Sequence, residues 1–226
     1  MKKKNIFVSI DNSDIGESLE IISQIKDSIA GIKIGIEYLS NGLEGVKALS
    51  KYNLPIFYDC KFFDIKNSVV KAIKALKNLP NISYLTIHLL NGKETLIEAK
   101  KAADQLSIKL IGISVLTSFS NENLKNLGFS STVNIQVQKL AQLAAKIKLH
   151  GIVCSAHELS IVKKISPNLV CFTPGIRLSS SKIFEQKRIA TPKEAIDKGS
   201  DYLIIGRPIT IGDPKKNIEK ILNSIN

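Results

Sequence analysis

The chain has no tryptophan, one methionine, three cysteines and three histidines in 226 residues, and only three of its 32 basic residues are arginine. Each scarcity excludes something. The cysteines, an odd number set far apart at Cys60, Cys154 and Cys171, provide neither a disulfide framework nor a zinc site, and each reads as a small core residue in a reducing compartment. No apolar run approaches the roughly 18 residues that a membrane span needs, so no membrane partner is expected. After Met1-Lys2-Lys3-Lys4, only Ile6–Ile10 precedes Asp11, which is too short for the apolar region of a signal peptide. A cytoplasmic protein is expected. What is present, 44% hydrophobic residues with 13 glycines, is ordinary for a globular α/β chain and excludes a low-complexity one.

The charge is lopsided, at a formal +12 with a pI near 9.5, which suits either nucleic acid or a small anion. Its distribution separates the two. Most lysines, such as Lys71, Lys74, Lys77, Lys100 and Lys101, fall on polar positions of helix-like segments and read as a solvated face. A nucleic-acid surface calls for arginines and aromatics together on one face, so no nucleic-acid partner is expected. Two of the three arginines, Arg177 and Arg207, stand in glycine-containing turns. A guanidinium there can hold phosphate or carboxylate by two parallel donors, whereas Arg188, within Glu185–Ile189, reads as an ion-pair residue.

Apolar strand-like runs alternate with helical periodicity along the whole chain. Strands are predicted at Ile6–Asp11, Ile32–Ile36, Pro55–Lys61, Tyr84–Leu89, Leu110–Leu116, Gly151–Ser155, Leu169–Thr173 and Tyr202–Ile205. Helices are predicted at Asp14–Ile29, Leu43–Ser50, Ile65–Leu79, Lys93–Leu106, Val133–Leu149, Glu158–Ile165, Thr191–Lys198 and Pro214–Ile225, with a polar insertion around Asn121-Glu122-Asn123. Without a break in composition, this alternation predicts one α/β domain over residues 1–226, a single (β/α)8 TIM barrel, with a doubly wound open sheet as the alternative. In such a barrel, ligands sit at the C-terminal strand ends. Asp11, Lys33, Asp59, Lys61, His88, Thr117, Ser118, Thr173 and the pair Gly206-Arg207 all fall there and are expected to converge on one mouth.

The densest of these stretches is Tyr58-Asp59-Cys60-Lys61-Phe62-Phe63-Asp64-Ile65. By strand alternation Asp59 and Lys61 share a face, Cys60 takes the other, and Asp64 lies close enough to return toward Lys61. Desolvating even one ion costs several kcal/mol, roughly, so such a cluster must be paired. Lys33, between isoleucines, needs a carboxylate for the same reason. Blander readings stand beside these: Asp64 as a helix N-cap, Asp59 with Lys61 as a structural ion pair, and Gly175 and Gly206 as turn residues.

The run Asp59-Cys60-Lys61-Phe62-Phe63-Asp64-Ile65-Lys66-Asn67-Ser68-Val69 resembles the signature of the orotidine 5'-phosphate decarboxylase family. The resemblance extends through Asp11, Ile32-Lys33-Ile34-Gly35, Val115-Leu116-Thr117-Ser118, Val153-Cys154-Ser155-Ala156, Thr173-Pro174-Gly175-Ile176-Arg177, Gln186–Pro192 and Gly206-Arg207-Pro208-Ile209. It implies decarboxylation of orotidine 5'-phosphate to UMP without metal or other cofactor. Lys33, Asp59, Lys61 and Asp64 would form an alternating charge array with Lys61 as proton donor. Asp64 and Ser68 would reach the site from the other subunit of a homodimer. Asp11 and Lys33 would hold ribose hydroxyls, Thr117 and Ser118 would meet the pyrimidine, and Arg177, Gln186, Gly206 and Arg207 would hold the phosphate beneath a closing loop at 177–186. The chain departs from the family pattern in having Lys66 for proline, Ser68 for threonine and Leu89-Leu90-Asn91-Gly92 where a paired glycine is usual. The shorter Asp-x-Lys-x-x-Asp core is also shared with metal-dependent hexulose-phosphate synthases and keto-gulonate-phosphate decarboxylases. A ribulose-phosphate epimerase fits less well, since it wants metal-binding histidines and only His88 is placed at a strand end.

Overall fold

Along the first strand, Ile6-Phe7-Val8-Ser9-Ile10, every residue is buried, because a strand inside a parallel sheet has protein on both faces. Ile6, Val8 and Ile10 turn outward onto the helices, and Phe7 turns inward among other rings. A computed structural model describes residues 5–178 and 189–225, and in it this two-faced pattern repeats around a closed ring.

The strands are β1 (Ile6–Ile10), β2 (Gly31–Ile34), β3 (Ile56–Phe62), β4 (Ile82–His88), β5 (Lys109–Ile113), β6 (Gly151–Val153), β7 (Val170–Thr173) and β8 (Tyr202–Ile205). Each pairs in parallel with the next, and β8 pairs with β1 to close the barrel. The open-sheet alternative is thereby excluded. Around the ring run α1 (Ile15–Ile25), α2 (Ile36–Leu39), α3 (Gly42–Ser50), α4 (Lys66–Ala75), α5 (Lys93–Gln105) and α6 (Asn121–Asn126). They are followed by α7 (Val133–Lys146), α8 (Leu159–Ile165), α9 (Pro192–Asp197), α10 (Arg207–Thr210) and α11 (Pro214–Ile225).

Capping chemistry sets several helix starts. Asp14 accepts the Glu17 N–H at 2.8 Å to begin α1, and Thr191 and Glu194 cap each other reciprocally ahead of Pro192 to begin α9. The segment expected to be a polar insertion holds α6, started by a capping box between Ser120 and Asn123. Local polarity there reflects exposure, not loss of structure.

The expected strand limits run long where an apolar residue follows the strand for another reason. Ile36 is the first residue of α2 and is 69% exposed, and β5 ends at Ile113, three residues before Leu116. The α1 helix likewise stops at Ile25, although Ile29 beyond it remains in the core.

One layer of rings fills the lower barrel. Phe7, Phe57, Tyr84, Phe172 and Tyr202 meet with centroids between 4.9 and 5.9 Å apart. Such pairs contribute about 0.5–1.5 kcal/mol each beyond burial, so the layer is a firm floor for whatever lies above it. Among the described residues, no helix is long and apolar enough to cross a membrane.

Candidate active site

Two residues further along the same strands, the inward positions change character. Ser9 follows Phe7 on β1, Asp59 follows Phe57 on β3, and Thr86 follows Tyr84 on β4. Lys33 on β2 is in register with Ser9 on one side and Phe57 on the other. The result is a row of alternating charge across the barrel mouth. Lys33 Nζ lies 3.0 Å from Asp11 Oδ1 and 3.4 Å from Asp59 Oδ2, and the same Asp59 oxygen lies 2.9 Å from Lys61 Nζ. Ser9 Oγ knits the near end together, accepting from Lys33 Nζ and donating to Asp11 Oδ2, each at 2.7 Å.

The electrostatics are those of mutual compensation. Burial works against the Lys33 ammonium, yet the carboxylates of Asp59 and Asp11 outweigh it and hold its pKa above the ordinary lysine value. Burial likewise opposes the Asp59 carboxylate, but Lys33 and Lys61 prevail and keep its pKa below the usual range. Cys60 faces away from the row, where burial pushes its thiol up to about 12.

Lys61 and Asp59 share a face as alternation predicts, but the backbone reaches that arrangement by an irregular route. Tyr58 is in register with Leu85 and Phe62 with Ile87, so Asp59, Cys60 and Lys61 together oppose the single residue Thr86. Lys61 takes the left-handed conformation, φ 50°, which is uncommon for a side chain of its size. A glycine completes the near end. A Cβ at Gly35 would stand 2.4 Å from Asp11 Oδ1, so glycine there lets this carboxylate stay on Lys33, and a larger residue would push it aside.

Across the mouth lie the two arginine turns. Gly175 adopts φ 79°, turning the chain so that Arg177 folds under it and donates from Nη1 to the Ile176 carbonyl at 2.7 Å. Burial and the neighbouring Arg207 charge both lower the Arg177 pKa from its usual value. A short parallel bridge between Ile176 and Ala190 joins the ends of the segment that follows. Gly206 and Arg207 open α10 directly after β8, the position at which barrels commonly hold phosphate. One open cavity is lined by Asp11, Lys33, Asp59, Lys61, Thr117, Gly175, Arg177, Gly206 and Arg207. Its remaining wall includes Ile113, Val115, Leu116 and Val153, an apolar side suited to a flat ring.

Several residues singled out in the sequence, among them the two expected from a second subunit, do not line this chain's own cavity. Asp64 does not return toward Lys61: it is exposed and outside the cavity, its Oδ1 accepting from the adjacent Ile65 N–H at 2.6 Å. Nor does it cap a helix, since Ile65 holds the N-cap position of α4 without a side-chain bond. Ser68, in the first turn of α4, is likewise exposed and outside the cavity, and so is Ser118, in the turn after β5. His88 packs its ring against Phe63 at 5.5 Å and accepts from Leu90 N–H, and Thr173 accepts from Ser200 Oγ; neither lines the cavity. Gln186, with the expected closing loop, lies outside the described residues. Conversely, the reading of the sequence missed Ser9 and Thr86. The signal for both was a polar side chain on an inward position of an apolar strand, as it was, in charged form, for Lys33.

A (β/α)8 barrel with buried ammonium and carboxylate groups facing a pair of arginine turns defines a class of enzymes that act on small phosphorylated substrates. The relatives are more specific. Residues 4–221 match the orotidine 5'-phosphate decarboxylase / HUMPS family, and the chain belongs to it. It is 41% identical to the orotidine 5'-phosphate decarboxylase of Wolbachia pipientis subsp. Culex pipiens (strain wPip), over 97% of this chain and 98% of that one. Against the enzyme of the same name from Ehrlichia canis (strain Jake), identity is 40% over 98% of this chain and 97% of that one. The crystal structure of orotidine 5'-phosphate decarboxylase from Lactobacillus acidophilus superimposes with a TM-score of 0.85 at 30% identity, covering 99% of this chain and 100% of that one.

Proposed function

We propose that the chain decarboxylates orotidine 5'-phosphate to UMP in the cytoplasm, as one catalytic barrel without a cofactor, and that Lys61 protonates the carbon that loses CO2. The observation that carries this reading is the linked row Lys33–Asp59–Lys61 opening into the same cavity as Arg177 and Arg207.

The chemistry sets the demands. Loss of CO2 from C6 of the orotate ring leaves an electron pair on carbon with little delocalisation, so the site must stabilise that charge and then deliver a proton. An ammonium does both. At an effective dielectric near 20, a unit charge about 4 Å away is worth roughly 4 kcal/mol, and the interaction strengthens as charge concentrates on the carbon. Asp59 fixes the direction of Lys61 and compensates its charge at rest. The proton passes from Nζ to C6, and the neutral amine regains one from water once UMP leaves. Asp11 and Lys33 hold the ribose hydroxyls, Thr117 meets the pyrimidine edge, and Arg177, Gln186, Gly206 and Arg207 hold the phosphate. Binding energy gathered at the phosphate is realised at the distant carbon.

The partner in this reading is a second copy of the chain, which supplies Asp64 and Ser68 to complete the array. Supporting this, Asp64 stands between Phe63, 65% exposed, and Ile65, 72% exposed, at the end of the strand that carries Asp59 and Lys61. Ile36, the first residue of α2 and two positions past neighbouring β2, is exposed as well. Large apolar side chains in such a group are suited to burial against another surface. If Asp64 crosses, mixing Lys61→Ala with Asp64→Asn protein restores one native site in each mixed dimer, about a quarter of wild-type activity after full exchange. Recovery no greater than the sum of the separate variants would place Asp64 in its own chain's site or in none.

The metal-dependent reading shared by related barrels requires carboxylates free for a divalent cation. Here both oxygens of Asp59 are engaged, Oδ2 by Lys33 and Lys61 and Oδ1 by Thr86, which favours the ammonium chemistry. The deciding experiment follows the absorbance of orotidine 5'-phosphate with wild-type protein in excess EDTA. Steady decay is expected; activity only after Mg2+ is returned would reject the cofactor-free mechanism.

A further inference from the structure

Opposite the irregular stretch of β3 stands one residue, and its hydroxyl serves both members of the pair that the stretch presents. Thr86 Oγ1 accepts the backbone N–H of Lys61 at 2.8 Å and donates to Asp59 Oδ1 at 2.9 Å. The Thr86 carbonyl is 3.6 Å from Cys60 Sγ, so all three residues of the bulge are tied to this one position. Thr86 is fully buried and does not line the cavity.

We propose that Thr86 is a positioning residue for the reaction: a buried hydroxyl that holds the Lys61 backbone and the Asp59 carboxylate in one geometry, so that the ammonium is aimed before substrate arrives. The bulge takes the Lys61 amide out of the regular ladder, and a buried N–H without an acceptor is costly. The left-handed conformation of Lys61 is itself unfavourable for a long side chain, so it persists only where its surroundings hold it. A threonine hydroxyl suits this place because it accepts and donates at once. Its acceptor side takes the stray amide, and its own proton goes to the one Asp59 oxygen that the two ammonium groups leave open. Valine would match the shape and do neither.

The inference rests on Asp59 and Lys61 carrying the chemistry, and the test separates the two ideas. Thr86→Val, Thr86→Ala and Thr86→Ser are assayed with orotidine 5'-phosphate beside Lys61→Ala, with UMP affinity and thermal unfolding measured on each. A small misplacement of a reacting group costs about 10²-fold in rate, so Thr86→Val and Thr86→Ala are expected to lose about that much in kcat while KM and UMP affinity stay within about threefold. Thr86→Ser, which keeps the hydroxyl, is expected to recover kcat to within about fivefold of wild type. A serine variant as slow as the alanine variant, or a valine variant as fast as wild type, would overturn the role of Thr86. Full activity in Lys61→Ala would instead overturn the reading beneath it.

Discussion

Phe57 and Asp59 lie two residues apart on one strand and face the same way, yet one ends among rings and the other in a row of charges. The contrast between floor and mouth repeats on β1, with Phe7 below Ser9, and on β4, with Tyr84 below Thr86. The floor is held by apolar contacts, so an apolar replacement of similar size leaves no charge or polar group without its partner. The mouth is held by charged groups that need one another at fixed distances, and removing Asp59 takes from both Lys33 and Lys61 the carboxylate they share. A single barrel thus has a tolerant lower layer and an exacting upper one, separated by one step of strand alternation.

The largest loss of stability expected from testing this contrast is at the centre of the row. Asp59→Asn leaves Lys33 and Lys61 without their shared counter-charge; kcat is expected to fall about 10³-fold, and breaking such a buried arrangement costs about 3–5 kcal/mol of stability. The pH dependence of stability should change as well. In the wild type Lys33 has a raised pKa, so its contribution is complete below the ordinary lysine value of about 10.5 and is lost as pH rises through the higher folded value. With Asp59 gone, burial opposes the ammonium with only Asp11 to offset it, and the alkaline loss should begin at lower pH. Thermal unfolding across the alkaline range checks this; coincident alkaline limbs in the two proteins would break the claimed coupling.

A smaller effect, of the opposite kind, is expected on the floor. Phe172→Leu should lower stability by roughly 1–2 kcal/mol through lost transfer energy and a partly filled cavity, with kcat within about twofold of wild type. Chemical denaturation and the decarboxylation assay, run on one preparation, give both numbers. A floor variant that lost activity faster than stability would show that the two layers are not independent.

The barrel was legible in the sequence because a parallel strand buried on both faces leaves a continuous apolar run, and the runs came at regular spacing with helical periodicity between them. Asp11, Lys33, Asp59 and Lys61 were legible because charges inside or at the end of such runs are costly unless paired. Strand ends were less so: Ile36 and Leu116 extend apolar runs but lie past the last ladder bond. Ser9 and Thr86 escaped notice because a lone hydroxyl in a strand is an unremarkable residue until its partners are known, and those lie 24 to 27 positions away for Lys33 and Asp59. The expected return of Asp64 toward the Lys61 of its own chain failed for a related reason. Sequence proximity to Lys61 suggested contact, but the chain passes Phe63 and leaves the barrel, carrying that carboxylate outward.

The most direct measurement of the central claim compares wild-type and Lys61→Ala proteins for kcat on orotidine 5'-phosphate, UMP affinity and thermal midpoint. Removal of a proton donor that also stabilises the developing charge should cost about 10⁴-fold or more in kcat. UMP affinity should hold within about tenfold, since the phosphate and ribose contacts remain. Comparable turnover by the two proteins would contradict the account, because the proton would then reach the carbon from some other group.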